Sequence, residues 1–86
     1  MTKPSGDETL LINADRHIDD ARRSVATQEA RVRRLKNSGQ DVDAPEELLQ
    51  LMEETLAEFV RHRKILADDI ERRRRGRLPD RPNRPH

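Results

Sequence analysis

The chain contains no Cys, no Trp and no Tyr, and Phe59 is its single Phe. Without Cys it forms neither disulfides nor thiolate metal sites, and nothing points to an oxidising compartment. It also lacks the run of about 20 apolar residues that a membrane span requires. No apolar segment of the kind found in a signal peptide follows Lys3. We therefore expect a cytoplasmic protein without a membrane segment.

Apolar residues are scarce as well. Of 86 residues, 41% are charged and 31% hydrophobic, which allows one small domain with little core. Ser24 and Ser38 have no partners in a triad pattern, and His17 and His62 have no spacing that places two ligands on one helical face. We expect a protein that is not an enzyme and that has no cofactor and no metal site.

Apolar residues recur at alternating steps of three and four in two stretches, which is the heptad pattern of packed amphipathic helices. Only Gln28 and Arg63 are polar among these positions, which we call the seam. No stretch alternates with the period of two that is typical of strands. The pattern predicts an all-α protein with two seam-bearing helices. The seam positions are Leu11, Ala14, Ile18, Ala21, Val25, Gln28, Val32, Leu35, Leu49, Met52, Leu56, Phe59, Arg63, Leu66 and Ile70.

Signals for helix ends flank both stretches. Ser5 and Glu8 have the spacing of a capping box, and Gly39 is suited to close a helix in the left-handed conformation. Pro45 favours the first turn of a following helix. The predicted organisation is a flexible N-terminus (1–6), a helical hairpin (7–75) and a disordered tail (76–86). Within the hairpin we expect helix one at about 7–38, a turn at 39–44 and helix two at about 45–75.

A turn this short makes the two helices antiparallel neighbours. If residue numbers that face each other add to 84, every seam position meets another seam position, with Val25 opposite Phe59 and Ala21 opposite Arg63. This register predicts a coiled-coil-like hairpin.

The polar seam residues have a structural explanation. Buried polar groups in such seams specify alignment at some cost in stability. Arg63 would lie near Asp20 or Asp19 in the expected register and could hold the antiparallel alignment. We predict that Gln28, Arg63 and Asp20 set the register, and a ligand-binding role is the alternative.

Two helices share only one seam, and ordering them costs about 1.5 kcal/mol per residue, so an isolated hairpin is marginal. Helix two also has apolar residues away from the seam, which widens its apolar face. We predict that this face forms a homodimer, a four-helix bundle, and a different protein partner is the alternative. The interface candidates are Leu48, Leu51, Val60 and Ile65.

The C-terminal end is basic. Residues 1–71 contain 11 Lys and Arg against 16 Asp and Glu, whereas residues 72–86 contain seven Arg against Asp80. Such a segment could bind phosphates or an acidic partner, but it has no aromatic residue to stack on bases. Binding of nucleic acid through this tail is the alternative function. Its candidate residues are Arg72, Arg73, Arg74, Arg75, Arg77, Arg81 and Arg84.

The seam and turn residues together resemble a family of short bacterial helical-hairpin proteins of unknown function. The resemblance runs from Ala14 to about Ile70 and implies the hairpin fold, but no activity. We therefore predict a non-enzymatic interaction or structural module that self-associates. The residues that carry the resemblance are His17, Ile18, Val25, Gln28, Val32, Leu35, Gly39, Asp41, Leu48, Leu49, Met52, Thr55, Leu56, His62, Arg63 and Ile65.

Overall fold

The protein consists of two long helices that pack against each other. The computed structural model describes residues 5–76, in which α1 (Gly6–Asn37) and α2 (Asp43–Gly76) form an antiparallel hairpin without strands. This confirms the prediction of an all-α, two-helix fold. Neither helix has a stretch apolar enough to cross a membrane. In the start predicted to be flexible (1–6), Ser5 caps α1 and Gly6 is helical, and in the tail predicted to be disordered (76–86), Gly76 is the last residue of α2. The rest of both segments, residues 1–4 and 77–86, lies outside the described residues.

The predicted capping box is present at the start of α1. Ser5 Oγ accepts a hydrogen bond from the Glu8 backbone N–H at 3.1 Å, and Glu8 Oε1 accepts one from the Ser5 N–H at 3.4 Å. Both bonds satisfy donors that a helix start leaves without intrahelical partners. The helix therefore begins at Gly6, directly after its cap.

Gly39 closes α1 through its backbone conformation. Its φ is +74°, the left-handed region that a residue with a Cβ adopts at a cost. The Gly39 N–H donates to the Lys36 carbonyl and the Gln40 N–H to the Leu35 carbonyl, both at 3.0 Å. These two bonds are the Schellman arrangement, which satisfies the last carbonyls of a helix. The last helical residue is therefore Asn37.

The second helix begins at Asp43, two residues before the predicted start at Pro45. The Asp41 side chain accepts a hydrogen bond from the Asp43 N–H at 3.0 Å, which satisfies one of the free donors of this helix start. Pro45 is the third helical residue, where the missing N–H has no intrahelical partner to lose. The restriction that proline places on Ala44 is overcome there, and Ala44 is helical.

The seam forms the core of the hairpin. Every predicted seam position is buried or intermediate in exposure, and the most buried are Ala14, Ile18, Gln28, Val32 and Ile70. The core is only one seam deep, so no large side chain in residues 5–76 is fully buried. The broad flanks of both helices remain open to solvent.

The register predicted for this seam is wrong. Arg63 pairs with Asp15 instead of lying opposite Ala21, and the ring of Phe59 contacts His17 instead of lying opposite Val25. The residue numbers of these two pairs add to 78 and 76, whereas those of Lys36 with Glu46 and Arg73 with Asp7 add to 82 and 80. The side-chain contacts of these four pairs are therefore displaced from the prediction by two to eight residues, and by different amounts along the hairpin.

Candidate functional site

One side of the hairpin carries a groove between the helices, which we call the apolar groove. It has a volume of about 440 Å³ and lies directly over the seam. Helix α2 contributes most of its apolar side chains, whereas α1 contributes small and polar ones. The lining residues are His17, Asp20, Ala21 and Ser24 from α1, and Leu48, Leu51, Met52, Thr55 and Phe59 from α2.

The apolar groove has few polar groups, and several of them already form contacts within the hairpin. The Thr55 hydroxyl donates to the Leu51 carbonyl of its own helix at 3.0 Å. His17 lies against Phe59 with ring centroids 5.7 Å apart. Asp20, at the outer edge of the groove, forms an ion pair with Arg23 on the same helix. In a chain so rich in charge, the groove is therefore the surface best suited to exclude water.

The opposite side of the hairpin carries a second groove of different character, which we call the charged groove. At its centre Arg63 Nε donates to Asp15 Oδ1 at 2.9 Å. Both side chains are part-exposed, at 38% for Arg63 and 55% for Asp15, so this ion pair is a weak contributor to stability. The lining residues are Asp15, Ile18, Asp19, Arg22, Val60, Arg63, Lys64, Ala67 and Asp68.

The four dimer-interface candidates do not share one surface. Leu48 and Leu51, 46% and 57% exposed, both line the apolar groove. Val60 lines the charged groove on the other side of the seam. Ile65 lies two heptads after Leu51, on the same side of α2, but it does not line the groove and is 63% exposed. Of the four candidates, only Leu48 and Leu51 line the apolar groove.

The three residues predicted to set the register lie in different surroundings. Gln28 is buried, and its Nε2 donates to the Pro45 carbonyl at 3.0 Å. The expected contact between Arg63 and Asp20 is replaced by the pairs of Arg63 with Asp15 and of Asp20 with Arg23. The cause is the register, which brings Asp15 to the height of Arg63. That these residues set the register stays a prediction.

The arginines at the end of α2 have acidic neighbours. Arg73 lies 3.7 Å from Asp69 and 3.9 Å from Asp7 of α1, and the pair with Asp7 joins the open ends of the two helices. Arg72 pairs with Asp69 at 3.3 Å and Arg75 with Glu71 at 3.5 Å. Much of the positive charge at this end is therefore matched locally. The remaining tail candidates, Arg77, Arg81 and Arg84, lie outside the described residues.

Each helix reverses its charge along its length. In α1, residues 6–20 contain five acidic residues and one Arg, and residues 22–36 contain six basic residues and one Glu. In α2, residues 43–58 contain six acidic residues and no Lys or Arg, and residues 61–75 contain seven basic and three acidic residues. Because the helices are antiparallel, opposite charges face each other at both ends. The charge pattern can be read from the sequence, but only the antiparallel hairpin brings the opposite charges to face each other.

The described residues offer no sign of a metal centre, since no group of three or more His, Asp or Glu side chains among them could hold an ion. Comparisons of the chain with protein families, with curated proteins and with solved structures gave no match. The resemblance to short bacterial hairpin proteins therefore stays a prediction.

Proposed function

We propose that this chain is a non-enzymatic protein-interaction module that self-associates, and that a second copy of the hairpin covers the apolar groove. The observation that carries the proposal is the position of Leu48 and Leu51, two large exposed side chains on the rim of an apolar groove. A hairpin with a core one seam deep has little buried apolar area to offset the ordering of two long helices. A second copy that covers this groove buries additional apolar area.

A second copy is a suitable occupant because α1 and α2 are complementary in charge along their lengths. Residues 22–36 of α1 are basic and residues 43–58 of α2 are acidic, so a copy that packs on this side can place unlike charges together. Like-charge contacts with unrelated proteins would select against other partners. The dimer buries the groove and keeps the charged groove in solvent.

The test is sedimentation equilibrium of two variants that place Asp on opposite sides of the same helix. Leu51→Asp places a charge in the apolar groove, and Val60→Asp places one in the charged groove on the other side of the seam. Both introduce the same residue into the interior of α2, so their effects on helix formation are similar. Detection requires interference optics, because a chain without Trp and Tyr absorbs little at 280 nm.

We expect twice the chain mass for the unmodified protein and for Val60→Asp, and the chain mass for Leu51→Asp at the same concentration of about 50 µM. Circular dichroism of each variant shows whether helicity is retained. An unmodified protein that remains a monomer up to several hundred micromolar would contradict the proposal. Equal effects of both substitutions would mean that the apolar groove is not the interface.

Nucleic-acid binding through the C-terminal arginines is the second candidate function, and the charge of residues 72–86 is its support. The acidic neighbours of Arg72, Arg73 and Arg75 weaken it, because they compete with phosphate for the same guanidinium groups. Absorbance at 260 nm of protein purified without nuclease tests it. A strongly absorbing complex that dissociates in salt, and that is lost on deletion of residues 72–86, would place this function first.

A further inference from the structure

The two sides of the apolar groove differ in height at the end near the turn. There α1 lines the groove with the small residues Ala21 and Ser24, whereas on α2 the exposed side chains of Leu48 and Leu51 rise beside it. Farther from the turn, His17 and Asp20 line the α1 side. Two such surfaces interlock when the raised side of one copy lies over the low side of the other. If raised sides met, Leu48 and Leu51 would contact the bulky side chains of the partner's α2, and a gap would remain between the two α1 helices.

Two hairpins that pack face to face as a closed pair can be related by a two-fold axis in only two ways. An axis parallel to the helices places α2 of one copy over α1 of the other. An axis perpendicular to the helices, within the interface, places α2 over α2 and α1 over α1. The charge reversal along each helix brings unlike charges together in both arrangements, which favours a second copy as the occupant of the groove. The difference in height between the two sides of the groove then distinguishes the parallel axis from the perpendicular one.

We infer that the hairpins pair about an axis parallel to the helices, with α2 of each copy over α1 of its partner. This inference rests on the proposed function, since it describes how the self-associated form is arranged. At the turn end, the acidic first half of α2 then lies over the basic second half of the partner's α1. At the open end, the basic second half of α2 lies over the acidic first half of that α1.

This arrangement determines which ends of the two chains lie together. Both turns lie at one end of the bundle, and both α2 helices end, at Gly76, at the other. The two Gly76 residues therefore lie side by side. A partner that binds the end of one α2 helix meets the second end at high effective concentration, which strengthens binding without a new contact. In the perpendicular arrangement the two Gly76 residues lie toward opposite ends.

Pulsed electron–electron double resonance, with one spin label per chain, measures the distance between the two turns of the dimer. The chain has no Cys, so Gln40→Cys gives one labelling site per chain, at the exposed turn. The Gln40 bond to Leu35 uses the backbone N–H, so the substitution leaves it in place. In the inferred arrangement the two labels lie within about 30 Å of each other, since packed helices are about 10 Å apart. In the perpendicular arrangement the two-fold axis passes through the groove, roughly 20 Å or more along the helices from the turn, so the labels lie roughly 40 Å apart or more.

A short distance supports the inference, and a long distance overturns it while leaving self-association intact. The absence of dipolar modulation, together with the mass of one chain, would overturn the proposed function as well. The same label in the Leu51→Asp background is the matched control. It should lose the modulation that the Val60→Asp background keeps, and if it does not, the measured distance comes from an interface other than the apolar groove.

Discussion

The buried amide of Gln28 donates a hydrogen bond to the backbone carbonyl of Pro45, 3.0 Å away on the other helix. It is the one seam side chain that joins the middle of α1 to the first turn of α2. A shift of the helices by a heptad would leave this amide among apolar seam residues without that acceptor. A buried polar group with one good partner penalises other alignments.

Gln28→Leu is expected to keep the stability of the protein within about 1 kcal/mol or to raise it, because a buried polar contact is replaced by an apolar side chain of similar size. Gln28→Ala is expected to lower the free energy of unfolding by about 1–2 kcal/mol, since it removes both the bond and the packing. Urea unfolding at one protein concentration compares them. Equal losses in the two variants would show that the hydrogen bond, not packing, carries the effect.

The ion pair of Arg63 and Asp15 provides a test of the register. In a double-mutant cycle with alanine at both positions, we expect a coupling energy of about 0.2–1 kcal/mol, as for a part-exposed pair. The matched cycle of Arg63 with Asp20 should give a coupling near zero, because Asp20 pairs with Arg23. A larger coupling to Asp20 than to Asp15 would instead support the register in which residue numbers add to 84.

Gly39→Ala is expected to destabilise the hairpin by about 1–2 kcal/mol, since the new side chain has to adopt the left-handed conformation. No heavy atom lies within 4 Å of a Cβ built there, so the loss comes from the backbone alone. Gly6→Ala has equally open surroundings and no positive φ, and it should be neutral or stabilising. Thermal unfolding followed by circular dichroism at 222 nm separates the two, and equal midpoints would refute the assigned role of Gly39.

Ser5→Ala removes the side-chain acceptor of the capping box and is expected to lower stability by about 0.5–2 kcal/mol. Ser38→Ala is its control, because the Ser38 hydroxyl donates to the Arg34 carbonyl and satisfies no free N–H group. Hydrogen exchange of the amides of residues 6–9 gives the local readout. Faster exchange there in Ser5→Ala, with no change in Ser38→Ala, is the expected result. Unchanged protection in Ser5→Ala would mean that the cap contributes nothing.

The fold class and most helix ends could be predicted because they depend on local chemistry. The spacing of Val25, Gln28 and Val32 predicts one face of a helix, and Ser5 and Gly39 act within a few residues of themselves. The start of α2 was predicted two residues late, because the side chain of Asp41 extends the helix past the restriction at Ala44. The stabilisation from such a cap and the cost of a helical residue before proline are of similar size. The sequence alone does not show which of the two prevails.

The register and the candidate site were beyond the sequence for a different reason. A heptad repeat is nearly unchanged by a shift of seven residues, so the pattern does not decide whether Ala21 or Ala14 lies opposite Arg63. Likewise, the sequence grouped Leu48, Leu51, Val60 and Ile65 as apolar residues off the seam, although only Leu48 and Leu51 line the apolar groove.

By itself, therefore, the sequence determined two amphipathic helices, their caps and the turn between them, because these follow from interactions within a few residues along the chain. The tertiary structure decided the alignment of α1 and α2, the pairing of Arg63 with Asp15 and the position of Leu48 and Leu51 beside a common groove. These follow from contacts between residues that are distant in the chain, where a repeating pattern is degenerate and only packing and specific polar bonds select one arrangement.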